Sequence, residues 1–331
     1  MLRPISNLCL IALVAVWLTL SACSRKQEGG PQVETQSSSN LQGTWALQSS
    51  GVVADLLSVH FVNPEIGWAV GDIGQFQGSV LGTSNGGLRW GPLSKTTEVL
   101  SSIFFINQNI GWAAGYAGRI QKSVDGGLSW SLKRREQKNE IINSIFFINE
   151  RVGWAVGAGG LILKTEDGGE NWTYVSPDRV EDLWSIRFSD EQNGWIAGED
   201  GLILRSADGG RNWERQASGT SAALFSISTV DAQQAWIVGE GGLVLHTSDG
   251  RNWAAQPSGT QENLQSIKMI DRQTGWAVGT RGTILSTSDA GAHWALHSSP
   301  TVADLNSVFF VDEKNGWAVG SGGTILHYTA R

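Results

Sequence analysis

The apolar residues of this chain occur in short runs that are separated by turns rich in Gly, Asn and Asp. The runs are four to six residues long and contain mainly Ile, Val, Phe and Trp, as in residues 102–105, 144–147 and 307–310. This length and composition favour β-strands. Residues 43–331 contain no long stretch with the three-to-four spacing of an amphipathic helix. The pattern therefore predicts an all-β fold.

Tryptophans mark a repeat of about 41 residues, and two parallel series hold fourteen of the sixteen in the chain. The first series is Trp68, Trp112, Trp154, Trp195, Trp236, Trp276 and Trp317, and the second is Trp45, Trp90, Trp130, Trp172, Trp213, Trp253 and Trp294. Four strands in a unit of this length are typical of a β-propeller blade. We therefore predict a seven-bladed β-propeller over residues 43–331, with the tryptophans packed between blades. The alternative interpretation is that the tryptophan side chains are platforms on which sugars stack.

The last repeat indicates how the ring closes. It ends at residues 326–328 without a closing tryptophan, whereas Trp45 precedes the first complete repeat. We predict that residues 43–47 supply the outer strand of the seventh blade, because this would leave no open edge in the ring. A solenoid is the alternative, but it would need polar capping repeats, which the sequence does not show.

Six of the seven repeats also carry a copy of the Asp-box, whose pattern is Ser/Thr-x-Asp-x-Gly-x-x-Trp. The expected role is a turn in which the carboxylate accepts backbone N–H groups and the glycine adopts a positive φ. One carboxylate per blade cannot converge on a single ion, so a metal site is disfavoured. The Asp position is occupied by Asn85, Asp125, Asp167, Asp208, Asp249 and Asp289, and the copy ending at Trp253 is one residue shorter.

The first residues have the features of an export signal. A basic residue is followed by a mostly apolar stretch and by Leu-Ser-Ala-Cys at residues 20–23, which predicts a lipoprotein signal peptide over residues 1–22. Cys23 would carry the lipid, and polar residues 23–42 would form a flexible tether. An ordinary cleaved signal or an uncleaved anchor are the alternatives. We expect an exported protein that is lipid-anchored on the periplasmic or outer-surface side of a membrane.

Charge and motifs exclude several classes of function. The net charge of −7 and the pI near 5.3 argue against nucleic-acid binding, which requires a basic face. The histidines show no metal-ligand spacing, and neither a Gly-x-Ser-x-Gly elbow nor a complete phosphate-binding loop is present. We expect a monomer with no cofactor, no metal and no catalytic site.

Two departures from the repeat are candidate partner sites. One is a basic loop after the second complete repeat, formed by Lys133, Arg134, Arg135 and Lys138. Propeller topology would place it on the same face as the glycine turns that contain Arg119 and Arg281. A solvated charge run is the alternative.

The second departure is aromatic. Trp184 and Phe225 directly precede the serine of the inner strand in adjacent repeats, where other repeats have Leu, Ser, Asn or Gln. They would lie at a mouth of the central channel, where an aromatic pair could anchor a partner. Local packing under a loop is the alternative.

The combination of Gly-Trp-Ala-Val-Gly, Gly-x-Ile-Leu-x-Thr and Asp-Gly-Gly-x-x-Trp repeats over residues 43–329, behind a lipobox, resembles the photosystem II stability/assembly factor family. The resemblance implies a non-enzymatic propeller that binds a nascent membrane-protein segment, with an arginine-rich patch in cyanobacterial members and a thylakoid-type membrane in a photosynthetic host. Residues 133–138 are the nearest counterpart of that patch. Two alternatives are a carbohydrate-binding or sialidase-type glycosidase propeller and a purely structural envelope protein.

Overall fold

The computed structural model describes residues 41, 43–72, 78–95, 99–135, 140–175 and 181–330. These residues form 28 β-strands in seven antiparallel four-stranded sheets. The all-β prediction and the seven-bladed propeller are therefore confirmed. Cys23 and Lys138 lie outside the described residues.

The first six blades each use four strands that are consecutive in the sequence. The first blade contains β2 Leu56–Phe61, β3 Gly67–Asp72, β4 Gly78–Thr83 and β5 Gly91–Lys95, and the second contains β6 Leu100–Phe105, β7 Gly111–Gly115, β8 Ile120–Ser123 and β9 Ser131–Arg134. The third contains β10 Ile142–Phe147, β11 Gly153–Gly157, β12 Ile162–Thr165 and β13 Thr173–Tyr174, and the fourth contains β14 Leu183–Phe188, β15 Gly194–Gly198, β16 Ile203–Ser206 and β17 Glu214–Gln216. The fifth contains β18 Leu224–Thr229, β19 Ala235–Gly239, β20 Val244–Thr247 and β21 Ala254–Gln256, and the sixth contains β22 Leu264–Met269, β23 Gly275–Gly279, β24 Ile284–Thr287 and β25 Ala295–Leu296. Short 3₁₀ turns occupy Ala158–Gly160, Glu240–Gly242, Thr280–Gly282 and Ser321–Gly323.

The seventh blade combines strands from distant parts of the sequence. It contains β26 Leu305–Phe310, β27 Asn315–Gly320 and β28 Ile325–Ala330, and its outer strand is β1 Gly43–Gln48. β1 pairs antiparallel with β28, and Trp45 lies opposite Tyr328. The predicted closure of the ring is confirmed.

The second strand of each blade is buried on both sides, which explains its apolar sequence, Gly-Trp-Ala-Val-Gly in four of the seven blades. In β11 all five residues are buried. A Cβ atom on Gly153 would lie 2.5 Å from the ring of Phe147, and one on Gly157 would collide with the carbonyl oxygen of Ile141. Glycine is therefore needed at both ends of this strand because of close packing and not because of its backbone conformation.

The core lies between blades. Each described apolar cluster joins the second and third strands of one blade to the inner strand of the next, as when Trp112 and Ile120 pack with Ile145 and Phe147. The Trp112 and Phe147 rings stack with centroids 3.6 Å apart, and Trp172 meets the same phenylalanine edge-on at 5.8 Å. Equivalent stacks pair Trp68 with Phe105, Trp154 with Phe188, Trp276 with Phe310 and Trp317 with Phe61. The two tryptophan series thus enclose the phenylalanines that hold neighbouring blades together.

Two blade junctions lack this phenylalanine. Thr229 and Met269 stand at the positions that face Trp195 and Trp236. Arg205 lies 5.2 Å from the Trp195 ring, and the imidazole of His246 stacks on Trp236 at 4.4 Å. A side chain of the third strand thus lies against each of these tryptophans, as His327 also does against Trp317, on which Phe61 stacks as well.

A second interaction links the inner strands around the channel. The repeated serine of each inner strand accepts a hydrogen bond from a backbone N–H of the next inner strand, as from Ile145 to Ser102 at 3.1 Å. The bond from Val59 to Ser307 joins the seventh blade to the first. The other acceptors are Ser58, Ser144, Ser185, Ser226 and Ser266. All seven blade junctions therefore share this bond.

We predict that Trp45→Ala destabilises the fold by about 3–5 kcal/mol. Trp45 is 7% exposed and packs edge-on against Trp276 and Phe310 at 5.6 and 5.8 Å, so truncation leaves a cavity at the ring closure. Equilibrium urea unfolding measures the change. Leu47→Ala on the same strand is the control, because Leu47 is 58% exposed and its loss should change stability by less than about 0.5 kcal/mol. Equal effects of the two substitutions would contradict the closure role, as would an unchanged melting temperature after removal of residues 43–48.

Candidate functional site

One face of the propeller is built from the turns between the second and third strands together with the segments that precede each inner strand. The backbone N–H of Gly159 donates to the Asp182 carboxylate at 2.8 Å, and that of Arg281 donates to Asp304 at 2.8 Å. Each carboxylate thereby fixes the turn of the preceding blade to the start of its own inner strand. This face surrounds one mouth of the central channel.

The channel mouth is a cavity of about 380 Å³ that is ringed by the residue before the repeated serine of each blade. These residues are Leu57, Ser101, Asn143, Trp184, Phe225, Gln265 and Asn306. A bulge in each inner strand occurs at this position, which re-aims the side chain relative to the regular pleat. The local repeat therefore places the most variable position of the inner strand at the rim of the channel.

The structure brings Trp184 and Phe225 into contact at this mouth. Their ring centroids are 6.2 Å apart with an interplanar angle of 76°, and both side chains are partly exposed. The indole Nε1 of Trp184 donates to the Glu199 carboxylate at 2.9 Å. This bond fixes the indole, and part of the aromatic surface of the pair lines the cavity. Sequence reasoning missed Tyr116, an exposed side chain that also lines the mouth.

Several polar side chains of the mouth bond to the next blade. The amide of Asn143 donates to the carbonyl of Leu183 at 2.9 Å, and that of Asn306 donates to Leu56 at 2.9 Å. The hydroxyl of Ser101 donates to the carbonyl of Ile142. These groups stabilise the rim, and the surface that the mouth presents is mainly aromatic and apolar.

Arg134 of the basic loop is buried in a network between blades. Its side chain is 8% exposed, forms an ion pair with Glu140 at 2.9 Å, and donates to the Gly118 carbonyl at 2.9 Å and to the Tyr174 hydroxyl at 2.6 Å. Tyr174 also donates to Glu140 at 2.9 Å. These contacts give Arg134 a role in joining strand β9 to the neighbouring turn and blade.

The other basic candidates are dispersed. Lys133 pairs with Glu170 at 2.6 Å, Arg119 donates to Gln121 at 3.2 Å, and Arg135 is exposed. Arg281 is 79% exposed and lies 3.7 Å from Glu262 on a different blade junction. The basic residues therefore do not gather around the aromatic pair in the described part of the chain.

The Asp-boxes lie in the turns between the third and fourth strands, at the opposite end of the blades from the mouth. Asp167 accepts bonds from the hydroxyl of Thr165 at 2.8 Å and from the backbone N–H of Asn171 at 2.9 Å. These bonds, with the amide of Asn171, lower the pKa of Asp167 to about 2. Asp125, Asp208, Asp249 and Asp289 accept equivalent bonds, and Asn85 does so with its amide oxygen. The motif thus acts as a turn in each of these blades.

The described residues hold no cluster of three or more His, Cys, Asp or Glu side chains that could bind a metal ion. None of their helical segments has the length and hydropathy of a membrane span.

Together, the sheet topology, the repeated turns and the aromatic mouth define an Asp-box β-propeller. Three overlapping matches to the family model of the photosynthesis system II assembly factor YCF48 cover residues 93–180, 178–257 and 250–330. The chain therefore belongs to this family. A comparison with curated proteins gave no significant match.

Solved structures show the same fold at low sequence identity. A structure described as YCF48 bound to D1 peptide has a TM-score of 0.73 at 21% identity, covering 87% of this chain and 97% of that one. YCF48 from Cyanidioschyzon merolae has a TM-score of 0.70 at 21% identity, covering 86% and 98%. The GH74 xyloglucanase from Xanthomonas campestris reaches 0.66 at 14% identity, covering 85% of this chain and 53% of the enzyme. Likenesses at this level of identity show the fold alone.

We predict that Arg134→Gln lowers stability by about 2–3 kcal/mol, because it leaves the Glu140 carboxylate without its buried partner. Arg281→Gln removes the same charge from an exposed position, and its effect should stay below about 0.5 kcal/mol. Urea unfolding of both variants distinguishes the two roles. A stable Arg134→Gln protein would contradict the structural role of this arginine.

Proposed function

We propose that the protein is a non-catalytic binding scaffold that captures a segment of another protein at the channel mouth and acts as an assembly factor for a membrane complex. The family to which the chain belongs is described as a photosystem II assembly factor, and a solved relative carries a D1 peptide. These descriptions support a protein partner and a photosystem II-like role. The observation that carries the proposal is the partly exposed aromatic pair at the mouth.

The chemistry of the mouth favours an extended segment with a large apolar side chain. Trp184 and Phe225 meet edge-to-face. In this geometry a third apolar group can pack against both rings. Leu57 and Tyr116 extend the apolar lining of the same cavity. Aromatic anchors in partly buried pockets dominate many protein interfaces. We infer that one apolar side chain of the partner inserts between the pair and Tyr116.

The proposed scaffold would act at a membrane surface. The lipobox-like sequence ending at Cys23 and the polar residues 23–42 support a lipid-anchored, exported protein with a tether. A tethered propeller would meet membrane-protein segments at a high effective concentration. A photosynthetic host would place it on a thylakoid-type membrane.

The decisive experiment is partner capture from the protein's own membranes after mild crosslinking, with the intact chain as bait. We predict that Trp184→Ala/Phe225→Ala reduces the captured partner at least about tenfold, since two aromatic anchors are lost. Leu128→Ala/Leu296→Ala is the matched control, because both leucines are exposed and lie outside the mouth. Arg134 is left intact because its substitution is expected to change stability.

The identity of the captured material tests the role. Reaction-centre subunits or other newly made membrane proteins, lost in the aromatic variant and retained in the control, support the assembly function. Equal capture by both variants would overturn the mouth as the site. Recovery of glycans or peptidoglycan without a protein would instead support the carbohydrate-binding or envelope alternatives.

A further inference from the structure

The channel contains a second layer of side chains beyond the mouth. It is formed by the residue two positions after the repeated serine of each inner strand. In ring order these residues are Phe309, His60, Phe104, Phe146, Arg187, Ser228 and Lys268. Four flat rings therefore occupy one arc of the channel, and Arg187 and Lys268 stand on either side of Ser228 on the other arc.

The ring arc supports the two cations at its ends. His60 lies 4.6 Å from Phe309 and 4.8 Å from Phe104, measured between ring centroids. The guanidinium of Arg187 lies 5.8 Å from the Phe146 ring, and the ammonium of Lys268 lies 5.4 Å from the Phe309 ring. Cation–π contacts of this kind orient the charges but supply no negative charge.

The described lining of this cavity, which measures about 220 Å³, includes no Asp or Glu. Arg187 donates to the carbonyl of Ile186 at 2.7 Å and to the Ser144 hydroxyl at 3.3 Å, both of which are neutral acceptors. His60 bonds through Nε2 to the carbonyl of Phe105 at 2.8 Å. The layer thus gathers positive charge in an enclosed space without a carboxylate to balance it.

This arrangement is electrostatically unfavourable for the empty channel. Burial lowers the pKa of Lys268 to about 8, with a further contribution from the nearby Arg187 charge, and burial lowers the pKa of Arg187 to about 10. Burial also lowers the pKa of His60 to about 3, so this ring is neutral near pH 7. Two cations therefore remain where other blades have phenylalanine, histidine or serine. An anion between them would restore the lost solvation.

We propose that Arg187, Ser228 and Lys268 form a binding site for a small oxyanion or carboxylate inside the channel. The cavity is smaller than the pockets that take drug-sized ligands, so a small anion such as phosphate or acetate fits inside it. Ser228 accepts a hydrogen bond from the backbone N–H of Met269 at 2.9 Å, so its hydroxyl proton is available to the anion. The site is separate from the aromatic mouth and does not rest on the proposed partner.

Isothermal titration of the purified full chain with phosphate and with acetate, at constant ionic strength, tests the site. We expect Arg187→Gln and Lys268→Met each to weaken binding at least about tenfold, because each removes a charge-assisted hydrogen bond. Lys314→Gln removes an equally charged but exposed side chain and should bind as the parent protein does. Binding of phosphate alone indicates an inorganic oxyanion, and binding of acetate indicates a carboxylate ligand. Failure of both, or equal binding by the channel variants, overturns the proposal.

The pH dependence gives a second readout. Affinity for acetate, whose charge is constant over this range, should fall as the pH rises from about 7 to about 9, since Lys268 loses its proton near pH 8 while Arg187 remains mostly charged and His60 is already neutral. The remaining side chains of the layer are phenylalanines and Ser228, which do not titrate in this range. An affinity that is constant or rises over this range would contradict the role of Lys268.

Two measurements guard against a variant that fails to fold. Lys268→Met should melt at a higher temperature than the parent in anion-free buffer, by about 2–4 °C, because it removes a charge that burial destabilises. Crystals of the parent protein soaked in bromide should show anomalous density between Arg187 and Lys268. Absence of that density, together with a lower melting temperature of Lys268→Met, would contradict the proposal without any binding assay.

Discussion

No blade of this ring has a complete core of its own, and the whole structure depends on how one blade completes the next. The stack of Trp112 on Phe147 shows the unit of this dependence, because the two rings belong to different sheets. The stack fixes the distance between sheets, and the hydrogen bond from Ile145 to Ser102 then fixes the inner strands around the channel. The width of the channel follows from these two contacts repeated around the ring.

The side chains that form the proposed sites lie at inner-strand positions that the ring does not need for closure. The phenylalanine that stacks on the preceding blade and the repeated serine carry the contacts between blades, whereas the residue before the serine and the residue two after it face the channel. Such positions can vary without opening the ring. Trp184 and Lys268 therefore occupy two different channel-facing positions of the repeat and provide different chemistry on one scaffold.

The sequence was sufficient for the fold because the fold is periodic. Two tryptophan series predicted the blade count, and the unpaired Trp45 predicted the closing strand. The contact of Trp184 with Phe225 also followed from their shared position in adjacent repeats. The burial of Arg134 was not predictable, since its partner Glu140 lies in a loop between blades and Tyr174 lies in the outer strand of the next blade. Arg187 and Lys268 occupy a position of the repeat that is phenylalanine in three other blades. Their placement on either side of Ser228 in one cavity became visible only in the structure.

Because β1 pairs with β28, the ring can close only when the last strand of the domain is present. The first strand to leave the ribosome has no permanent neighbour until the last strand has been synthesised. The two paired strands are separated by almost the whole sequence of the domain. Contacts between residues so far apart in sequence form slowly, so closure is expected to be a slow folding step. Until that step the aromatic surface around Trp45 would be open to other chains. A chain that terminates within the repeats would consequently lack β28 and leave β1 unpaired. Such an open ring exposes apolar surface and a free strand edge, the features that promote aggregation.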